Sequence, residues 1–365
     1  MRLLLSIRQH GLHPAAWRMS DAPIFAATAF LDIAKRAEKA ALDVVLLGLP
    51  ALSASAPGDG SEAALHFDPL PLMGAALGVT ERVGLAGFWP LDVAEPFHVA
   101  RVMATLDHLS GGRAAWITGL SGAEPMRSNY GHSTLLDGED AARRAAEFIE
   151  VAVKLWDSWE DRGFVADQAS GLFADSERVH PILHEGAFFT VRGPLNVPRP
   201  IQGRPVIMHR DSGPGPLRRV VAPLADLVLA PCPTPEAASA LKRELAASAS
   251  GRRPLLIASV MPVLARTEAD AMRRARELDA MAPCTAPRFV GTPEAFAAEL
   301  SRWQAAGACD GFDLQPAVLT EDLDLICEEV LPALRHHGRL RRGYEARTLR
   351  EHLGLDRPDS QYAAA

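Results

Sequence analysis

The sequence has little cysteine, no long apolar run and no block of charge of one sign. Its four cysteines, at positions 232, 284, 309 and 327, include no CxxC pair, which is typical of reduced structural thiols in a cytosolic protein. No apolar stretch approaches the roughly 20 residues that a membrane-spanning helix needs. The apolar run in the opening MRLLLSIRQHG is too short for a signal peptide. These absences predict a soluble, cytoplasmic protein with no membrane partner.

The charged residues and histidines also exclude some functions. Lys and Arg total 38 against 45 Asp and Glu, which gives a formal net charge of −7 with the two signs interspersed. Nucleic-acid-binding domains usually carry a basic patch or stripe, so no nucleic-acid partner is expected. No HxH pair occurs among the 12 histidines, and the cysteines have no paired spacing. The sequence therefore predicts no metal site.

Apolar segments of strand length alternate with segments of helical period along the chain. The eight strand candidates are LLLSI, DVVLLGL, VGLAGFW, AAWITGL, PVIMH, DLVLA, LLIASVMPVLA and GFDLQP. They are continuously apolar, which is typical of strands covered on both faces. Eight alternations without a composition break predict a (β/α)8 TIM barrel. The alternative is an open doubly wound sheet, which would have fewer strands and usually a glycine fingerprint after the first; SIRQHGLHP lacks that fingerprint.

Several boundaries follow from local signals. In PFHVARVMATLDHLSGG, a helix is expected to begin at Pro96 and end at Gly111, with one apolar stripe made of Val99, Val102, Met103, Leu106 and Leu109. Thr292 is the predicted N-cap of a later helix. We interpret residues 1–365 as a single domain with a hairpin-type insertion at about 162–203, between strands 4 and 5. A tail from about 338 to 365 is expected to wrap the surface and fray.

Eight motifs carry a resemblance to a known family. They are GLHPAAWR, DPLPLMGAALGVTERVGLAG, EPFHVARVMATLDHLSGGRAAW, NYG, AAEFIEVAVKLWDSWED, HPILHEGAFFTVRGPLNVPRPIQGRPV, GTPEAFAAELSRWQAAGACDGFDLQP and YEARTLREHLGL. In this order they resemble the luciferase-like flavin-dependent monooxygenases, in the branch of nitrilotriacetate monooxygenase component A. The motifs cover most of the chain, and the long ones are specific.

The resemblance implies a fold, an activity and partners. It implies a TIM barrel that forms a homodimer, binds reduced FMN supplied by a separate flavin reductase, and uses O2 to oxygenate a small organic substrate. In such an enzyme the reactivity belongs to the cofactor, and the protein binds it and excludes water. A nucleophile–base pair or a metal cluster is therefore not required.

A TIM barrel places its site at the carboxyl ends of its strands, and the resemblance assigns residues there. His13 stands at a family histidine and is the catalytic candidate; the alternative is that His13 and Trp17 only organise a loop. The remaining candidates near the first four strands are cofactor-binding positions. They are Gly48 (where the family has aspartate), Trp89 (beside Phe88 and Pro90, where it has small hydroxylated residues), Ile117 (where it has asparagine), and the retained Ser121 and Tyr130.

The fifth strand ends in a candidate phosphate loop. Relatives read QAGxS there, whereas this chain has His209, Arg210, Asp211, Ser212 and Gly213. A glycine-rich turn before a helix is a fair anion site, and Arg210 adds positive charge. Asp211 is expected to repel a phosphate. The alternative reading is a strand–helix turn with no ligand.

Two further departures keep the function open. Ala142 stands near a position where relatives have a tyrosine, and Glu277–Glu294 is a short link where they have a long helical cover. One hypothesis is a working FMN-dependent monooxygenase with an unusual site. The other is a barrel whose flavin site is degenerate, with no cofactor bound, acting as a partner subunit or small-molecule binding protein. A third possibility is an enzyme of another class, using a deazaflavin at the same place.

Overall fold

In a computed structural model, residues 1–21, 23, 26–48, 67–121, 136–249, 251 and 253–362 are described. Tyr130, one of the candidate cofactor residues, lies outside these ranges. The strands are β1 Arg2–Ile7, β2 Val44–Leu47, β3 Gly84–Phe88, β4 Ala114–Thr118, β5 Phe164–Asp167, β6 Leu172–Ala174, β7 His184–Glu185, β8 Thr190–Val191, β9 Val206–Arg210, β10 Leu227–Pro231, β11 Leu255–Leu264, β12 Arg288–Gly291 and β13 Gly311–Leu314.

The helices of the described ranges alternate with these strands. They are α1 Ala27–Lys39, α2 Pro69–Leu77, α3 Pro96–Ser110, α4 Gly138–Asp157, α5 Pro216–Val221, α6 Pro235–Ser248, α7 Glu268–Met281, α8 Pro293–Ala305, α9 Leu319–Leu325, α10 Leu331–His336 and α11 Leu349–His352. A π-helical turn, Ile326–Val330, joins α9 to α10. None of these helices is long and apolar enough to cross a bilayer.

Strand pairing confirms the (β/α)8 barrel. Hydrogen bonds link the strands in the order β10, β9, β4, β3, β2, β1, β13 and β11, and β10 pairs again with β11. Each of the eight predicted strand segments overlaps one of these eight strands, with bounds that differ by one residue at the ends of β1, β9 and β10. Among the described strands, β12 pairs only with the second half of β11. The predicted insertion between the fourth and fifth barrel strands holds two antiparallel hairpins, β5–β6 and β7–β8.

The chain divides into two compact units. Unit 1 contains residues 1–88 and 227–345, and unit 2 contains residues 89–226 and 346–365. In unit 1 the parallel ladder runs β10–β11–β13–β1–β2–β3. In unit 2, β4 pairs in parallel with β9, next to the helices α3 and α4. The interpretation of the chain as a single domain stays a prediction.

The boundaries of α3 are confirmed, and its predicted apolar stripe is wrong at one end. The helix begins at Pro96 and is capped by Gly111, whose φ is 67°, the left-handed conformation that glycine adopts without a side-chain clash. Val99 and Met103 are buried, but Leu109 is 74% exposed. At about 100° per residue, Leu109 lies about 80° from Val99 around the helix, so it falls at the edge of the stripe and faces solvent.

The predicted fraying of the tail is wrong for residues 346–362. Arg350 binds Asp226 through two hydrogen bonds of 2.9 and 2.8 Å. Further along, the ring of Tyr362 stacks on His180 at 4.0 Å between centroids, and the N–H of Gln361 donates to the buried carboxylate of Asp157. These contacts make the tail an integral part of unit 2.

Candidate functional site

The two faces of the β4–β9 pair have different neighbours. Trp116 on β4 contacts the rings of Phe148 and Trp156, both on α4, at centroid distances of 5.7 and 6.4 Å. Successive side chains of a strand point to opposite faces. Ile117, the next residue, therefore lies on the face turned away from α4.

The register of the pair separates two of the predicted site residues. Ile117 is opposite Met208, and Thr118 is opposite His209. By the same alternation, Met208 shares the face of Ile117, whereas His209 shares the α4 face. Arg210 ends β9 on the Ile117 side. The structure thus places Ile117 and Arg210 on one face and His209 on the other.

Ile117 provides an apolar surface where the family resemblance places an asparagine. Its side chain is completely buried, and its carbonyl oxygen accepts the N–H of Trp89 at 3.1 Å. The carbonyl of Trp89 in turn accepts the indole N–H of Trp116 at 3.2 Å. The backbone of β4 therefore fixes the position of Trp89, and no polar side chain is available at position 117.

Ser121 is held by a residue that sequence reasoning missed. The carboxylate of Asp92 accepts the N–H of Ser121 at 2.9 Å and its hydroxyl at 2.6 Å. Because the hydroxyl proton is engaged, Ser121 can offer a ligand only the lone pairs of its oxygen. The signal for Asp92 was its position four residues after the end of β3, in the loop that a barrel uses for its site.

Arg144 on α4 is a second missed residue of this region. Its guanidinium donates to the carbonyl of Leu91 at 2.5 Å and lies 4.7 Å from the centroid of the Phe189 ring. Burial lowers its pKa, and the negative charges of Glu95 and Asp92 act against that shift. Arg144 thus brings a positive charge to the loop after β3.

His209 is a buried histidine with an unsatisfied nitrogen. Its side chain has no exposed surface, and its Nδ1 lies 3.4 Å from Thr118 Oγ1. Its Nε2 has no hydrogen-bond partner in the described part of the chain. Burial lowers the pKa of His209 to about 4, so the imidazole is neutral near pH 7.

The negative charge of Asp211 is compensated within the loop. Asp211 is buried and accepts two hydrogen bonds from Arg218 on α5, of 2.9 and 2.5 Å. The expected repulsion between Asp211 and a phosphate is therefore offset by a third residue that sequence reasoning missed. Arg218 lies seven residues further along the chain, in a helix whose approach to the loop a sequence does not show.

The rest of the loop is open. Ser212 is exposed, and Arg210 and Gly213 are half-buried. Gly213 has a φ of 112°, and a Cβ built on it would meet no atom within 4 Å. Free space next to an arginine, a serine hydroxyl and a compensated carboxylate suits an anionic group.

In unit 1, His13 is enclosed in the loop after β1. Its Nδ1 accepts the N–H of Ala15 at 3.1 Å, and its Nε2 lies 3.5 Å from Asp279 Oδ1. That separation is too long for a good hydrogen bond, so the two groups interact electrostatically. Burial lowers the pKa of His13, while Asp279 opposes the shift. These contacts favour the loop-organising role; Trp17, its predicted companion, is 39% exposed.

Asp279 also stabilises the short link Glu277–Glu294. It accepts two hydrogen bonds from Arg288, of 2.6 and 2.7 Å, and so joins the end of α7 to β12. The link Glu277–Glu294 is therefore a braced connection that contains a short strand. His13 and this link belong to one small assembly within unit 1.

Gly48 departs from the family aspartate for a steric reason. Its φ is 73°, and a Cβ at this position would lie 2.5 Å from the Cβ of Pro69. Side chains other than glycine rarely adopt this backbone conformation. Neighbouring packing therefore excludes a side chain at position 48.

We expect that Gly48→Asp, although it restores the family residue, lowers the free energy of unfolding by about 1–3 kcal/mol. The cause is the left-handed backbone together with the clash against Pro69. Chemical denaturation checks the result, with Gly111→Asp as the matched control, because Gly111 has a similar φ of 67° but an open Cβ position. Equal losses in the two variants would contradict a role for Pro69.

Two histidines of the insertion each contact a carboxylate. His180 and His184 stand four residues apart, but His180 Nε2 contacts Glu160 at 2.7 Å and His184 Nε2 contacts Glu147 at 3.2 Å. No group of three or more His, Cys, Asp or Glu suited to a metal ion occurs among the residues described. The two histidines therefore belong to separate ion pairs of the insertion.

Comparison with known sequences identifies relatives along the whole chain. The profile described as "Luciferase-like monooxygenase" matches residues 5–334. N-acetyl-S-(2-succino)cysteine monooxygenase of Bacillus subtilis (strain 168) is 32% identical, covering 97% of this chain and 96% of that protein. Nitrilotriacetate monooxygenase component A of Aminobacter aminovorans is 29% identical, covering 97% and 96%.

Solved structures show the same similarity. EDTA monooxygenase from Chelativorans sp. BNC1 superposes with a TM-score of 0.86 at 25% identity, covering 98% of this chain and 99% of that chain. A riboflavin lyase, solved with modified FMN and the substrate riboflavin, gives a TM-score of 0.85 at 26% identity, covering 98% and 97%.

Proposed function

This chain belongs to the luciferase-like monooxygenase family, and we propose that it uses reduced FMN and O2 to oxygenate a small organic substrate. The proposal includes a separate flavin reductase as transient partner, a homodimer and a cytoplasmic location. The observation that carries it is the loop after β9, in which Arg218 compensates Asp211 and so offsets the repulsion between Asp211 and a phosphate.

The loop fits the phosphate end of FMN. Arg210 supplies positive charge, the hydroxyl of Ser212 supplies a donor, and the open side of Gly213 supplies space. Backbone N–H groups of such a turn complete an anion site.

The face of the β4–β9 pair that is turned away from α4 fits an apolar environment for the reaction. Reduced FMN, when bound, supplies the two electrons that O2 chemistry needs. The chain's own contribution is to keep water away, and the buried side chains of Ile117 and Met208 serve this purpose. Together with Trp89 they favour a substrate less charged than a polycarboxylate.

The alternative function is a barrel that does not bind flavin and serves as a partner subunit or binding protein. The apolar side chain of Ile117 favours it, since a flavin ring edge left without a polar partner costs about 1–3 kcal/mol. Ala142, completely buried where relatives have a tyrosine, also lacks a group that can contact a phosphate.

Anaerobic titration separates the two functions. Purified protein is titrated with reduced FMN and, separately, with oxidised FMN, and binding is followed by calorimetry. Micromolar binding of the reduced form is expected for the monooxygenase. Absence of binding by either form rejects the enzyme and leaves the binding protein.

Replacing Ile117 with Asn should tighten the binding of reduced FMN by about tenfold, because one buried polar contact is worth about 1–1.5 kcal/mol. Anaerobic calorimetry measures the affinity, and circular dichroism verifies that the variant folds. Ile117→Val is the matched control and is expected to leave the affinity unchanged. An Asn variant that folds and binds like wild type would show that position 117 does not face the flavin.

A further inference from the structure

The β5–β6 hairpin of the insertion exposes a group of large apolar side chains. Phe164 and Val165 on β5 are 50% and 40% exposed, and Leu172 and Phe173 on β6 are 48% and 68% exposed. The rings of Phe164 and Phe173 contact each other edge-on, at 5.2 Å between centroids. Single apolar side chains on a surface are ordinary, whereas a contiguous group marks an interaction surface. We call these four residues the hairpin patch.

The hairpin is joined to the rest of unit 2 at its base. The N–H of Glu160 donates to the carbonyl of Arg178, and the N–H of Asp175 donates to the carbonyl of Gly163, both at 2.9 Å. Beyond these bonds, every residue of β5 and the first two residues of β6 are exposed. A two-stranded hairpin is at best marginally stable in water without further packing. A partner that covers the hairpin patch would therefore stabilise it.

The charges at the two ends of β5 are opposite. Arg162 precedes the strand, Asp167 ends it, and both are exposed. Asp161, the neighbour of Arg162, is already paired with two arginines. Asp167 accepts hydrogen bonds from uncharged groups of its own turn. Because a strand rises about 3.3 Å per residue, the charges of Arg162 and Asp167 lie too far apart to pair within one hairpin.

We propose that the hairpin patch is a homodimer interface, in which the β5 strands of two copies of this chain lie antiparallel about a twofold axis. The start of each strand then lies beside the end of the other, so that Arg162 faces Asp167 of the partner subunit. The same surface meets itself, as a twofold interface requires. The inference rests on the homodimer of the proposed function and is independent of flavin binding.

Side chains make the proposed contact. The register between β5 and β6 shifts between Phe164 and Asp167, and Ala166 within this stretch has a φ of 52°. A bulge of this kind interrupts the backbone pairing of an edge strand. The two copies of β5 therefore meet through their apolar side chains rather than by extending a hydrogen-bonded ladder.

Two observations favour a second copy as the occupant. The opposite charges at the ends of β5 make the strand complementary to itself in an antiparallel arrangement. Aromatic side chains such as Phe164 and Phe173 are enriched at protein–protein interfaces. A membrane surface fits less well, because residues 162–178 contain three acidic and two basic residues, and anionic lipids attract basic segments.

Sedimentation velocity over a series of protein concentrations tests the interface on the full chain without cofactor. Wild type should form a dimer. Phe173→Ser should raise the dissociation constant of the dimer by at least about 100-fold, because each dimer loses two aromatic contacts. Leu109→Ser is the matched control, since Leu109 is exposed on α3 outside the hairpin patch, and it should leave the constant unchanged. A monomeric wild type, or a dimer that Phe173→Ser does not weaken, overturns the inference.

Charge variants test the twofold arrangement. Arg162→Glu places like charges at both ends of the interface and should weaken the dimer by at least about tenfold. Adding Asp167→Asn removes this repulsion, keeps an oxygen acceptor for the turn, and should recover most of the lost affinity. Since the two positions do not interact within one chain, recovery reports a contact between copies. Arg162→Glu without effect, or strictly additive effects of the two substitutions, would reject the arrangement. Flavin chemistry is judged separately, by the anaerobic titration with reduced FMN.

Discussion

Replacing His209 with Gln should abolish a loss of about 3 kcal/mol in unfolding free energy, which the wild-type protein undergoes between pH 6.5 and 4 because of this histidine. The unfolded chain binds the histidine proton near 6.5, whereas burial lowers the pKa of the folded state to about 4. Between these values the unfolded state carries more protons. The free energy of unfolding therefore falls as the pH falls, and above 6.5 the contribution is constant.

Urea unfolding at pH 7.5 and 4.5 measures this effect. The difference in unfolding free energy between the two pH values should be smaller in His209→Gln than in wild type. His337→Gln is the matched control, because His337 is exposed at the end of α10. An equal pH dependence in wild type and His209→Gln would mean that water reaches the imidazole in the folded state.

Replacing Arg218 with Met should weaken the binding of reduced FMN by about 100-fold. The variant leaves the buried carboxylate of Asp211 without its two hydrogen bonds, and bringing two like charges together at a binding interface costs several kcal/mol. In the proposed loop that negative charge also faces the phosphate. Anaerobic calorimetry with reduced FMN measures the loss.

Two further variants identify the cause. Arg218→Met combined with Asp211→Asn removes both charges and should recover most of the affinity. Arg219→Met is the matched control, since Arg219 and its partner Glu139 are both exposed and exposed ion pairs contribute little. A double variant as weak as Arg218→Met alone would show that Arg218 contacts the phosphate directly rather than through Asp211.

The fold could be predicted because its signals are local. Each barrel strand is a continuous apolar run such as AAWIT or VIMH, and the ends of α3 are marked by Pro96 and Gly111. Alternation along β4 also fixes which face Ile117 occupies once Trp116 is known to contact α4. Parallel strands covered on both faces leave few other arrangements.

The site could be predicted only as far as neighbours along the chain determine it. From the sequence, Asp211 was expected to repel a phosphate, because only the fold shows that α5 brings Arg218 next to it. It placed His209 beside a phosphate, but register with Thr118 puts the imidazole on the α4 face. From the sequence, Asp313 was interpreted only as part of an apolar strand. Its hydrogen-bond partners on β1 and β11 are far away along the chain, so the sequence does not show them.

The docked tail sets an order for the synthesis of the chain. Asp226 obtains its guanidinium partner from Arg350, and Asp157 receives an N–H from Gln361. These partners are synthesised last, more than a hundred residues after β4 and β9. Unit 1 gains its final strand earlier. Asp157 is already paired with Arg204 by then, but Asp226 has to wait for the guanidinium of Arg350, and a stop codon before position 350 would deprive it of that partner permanently.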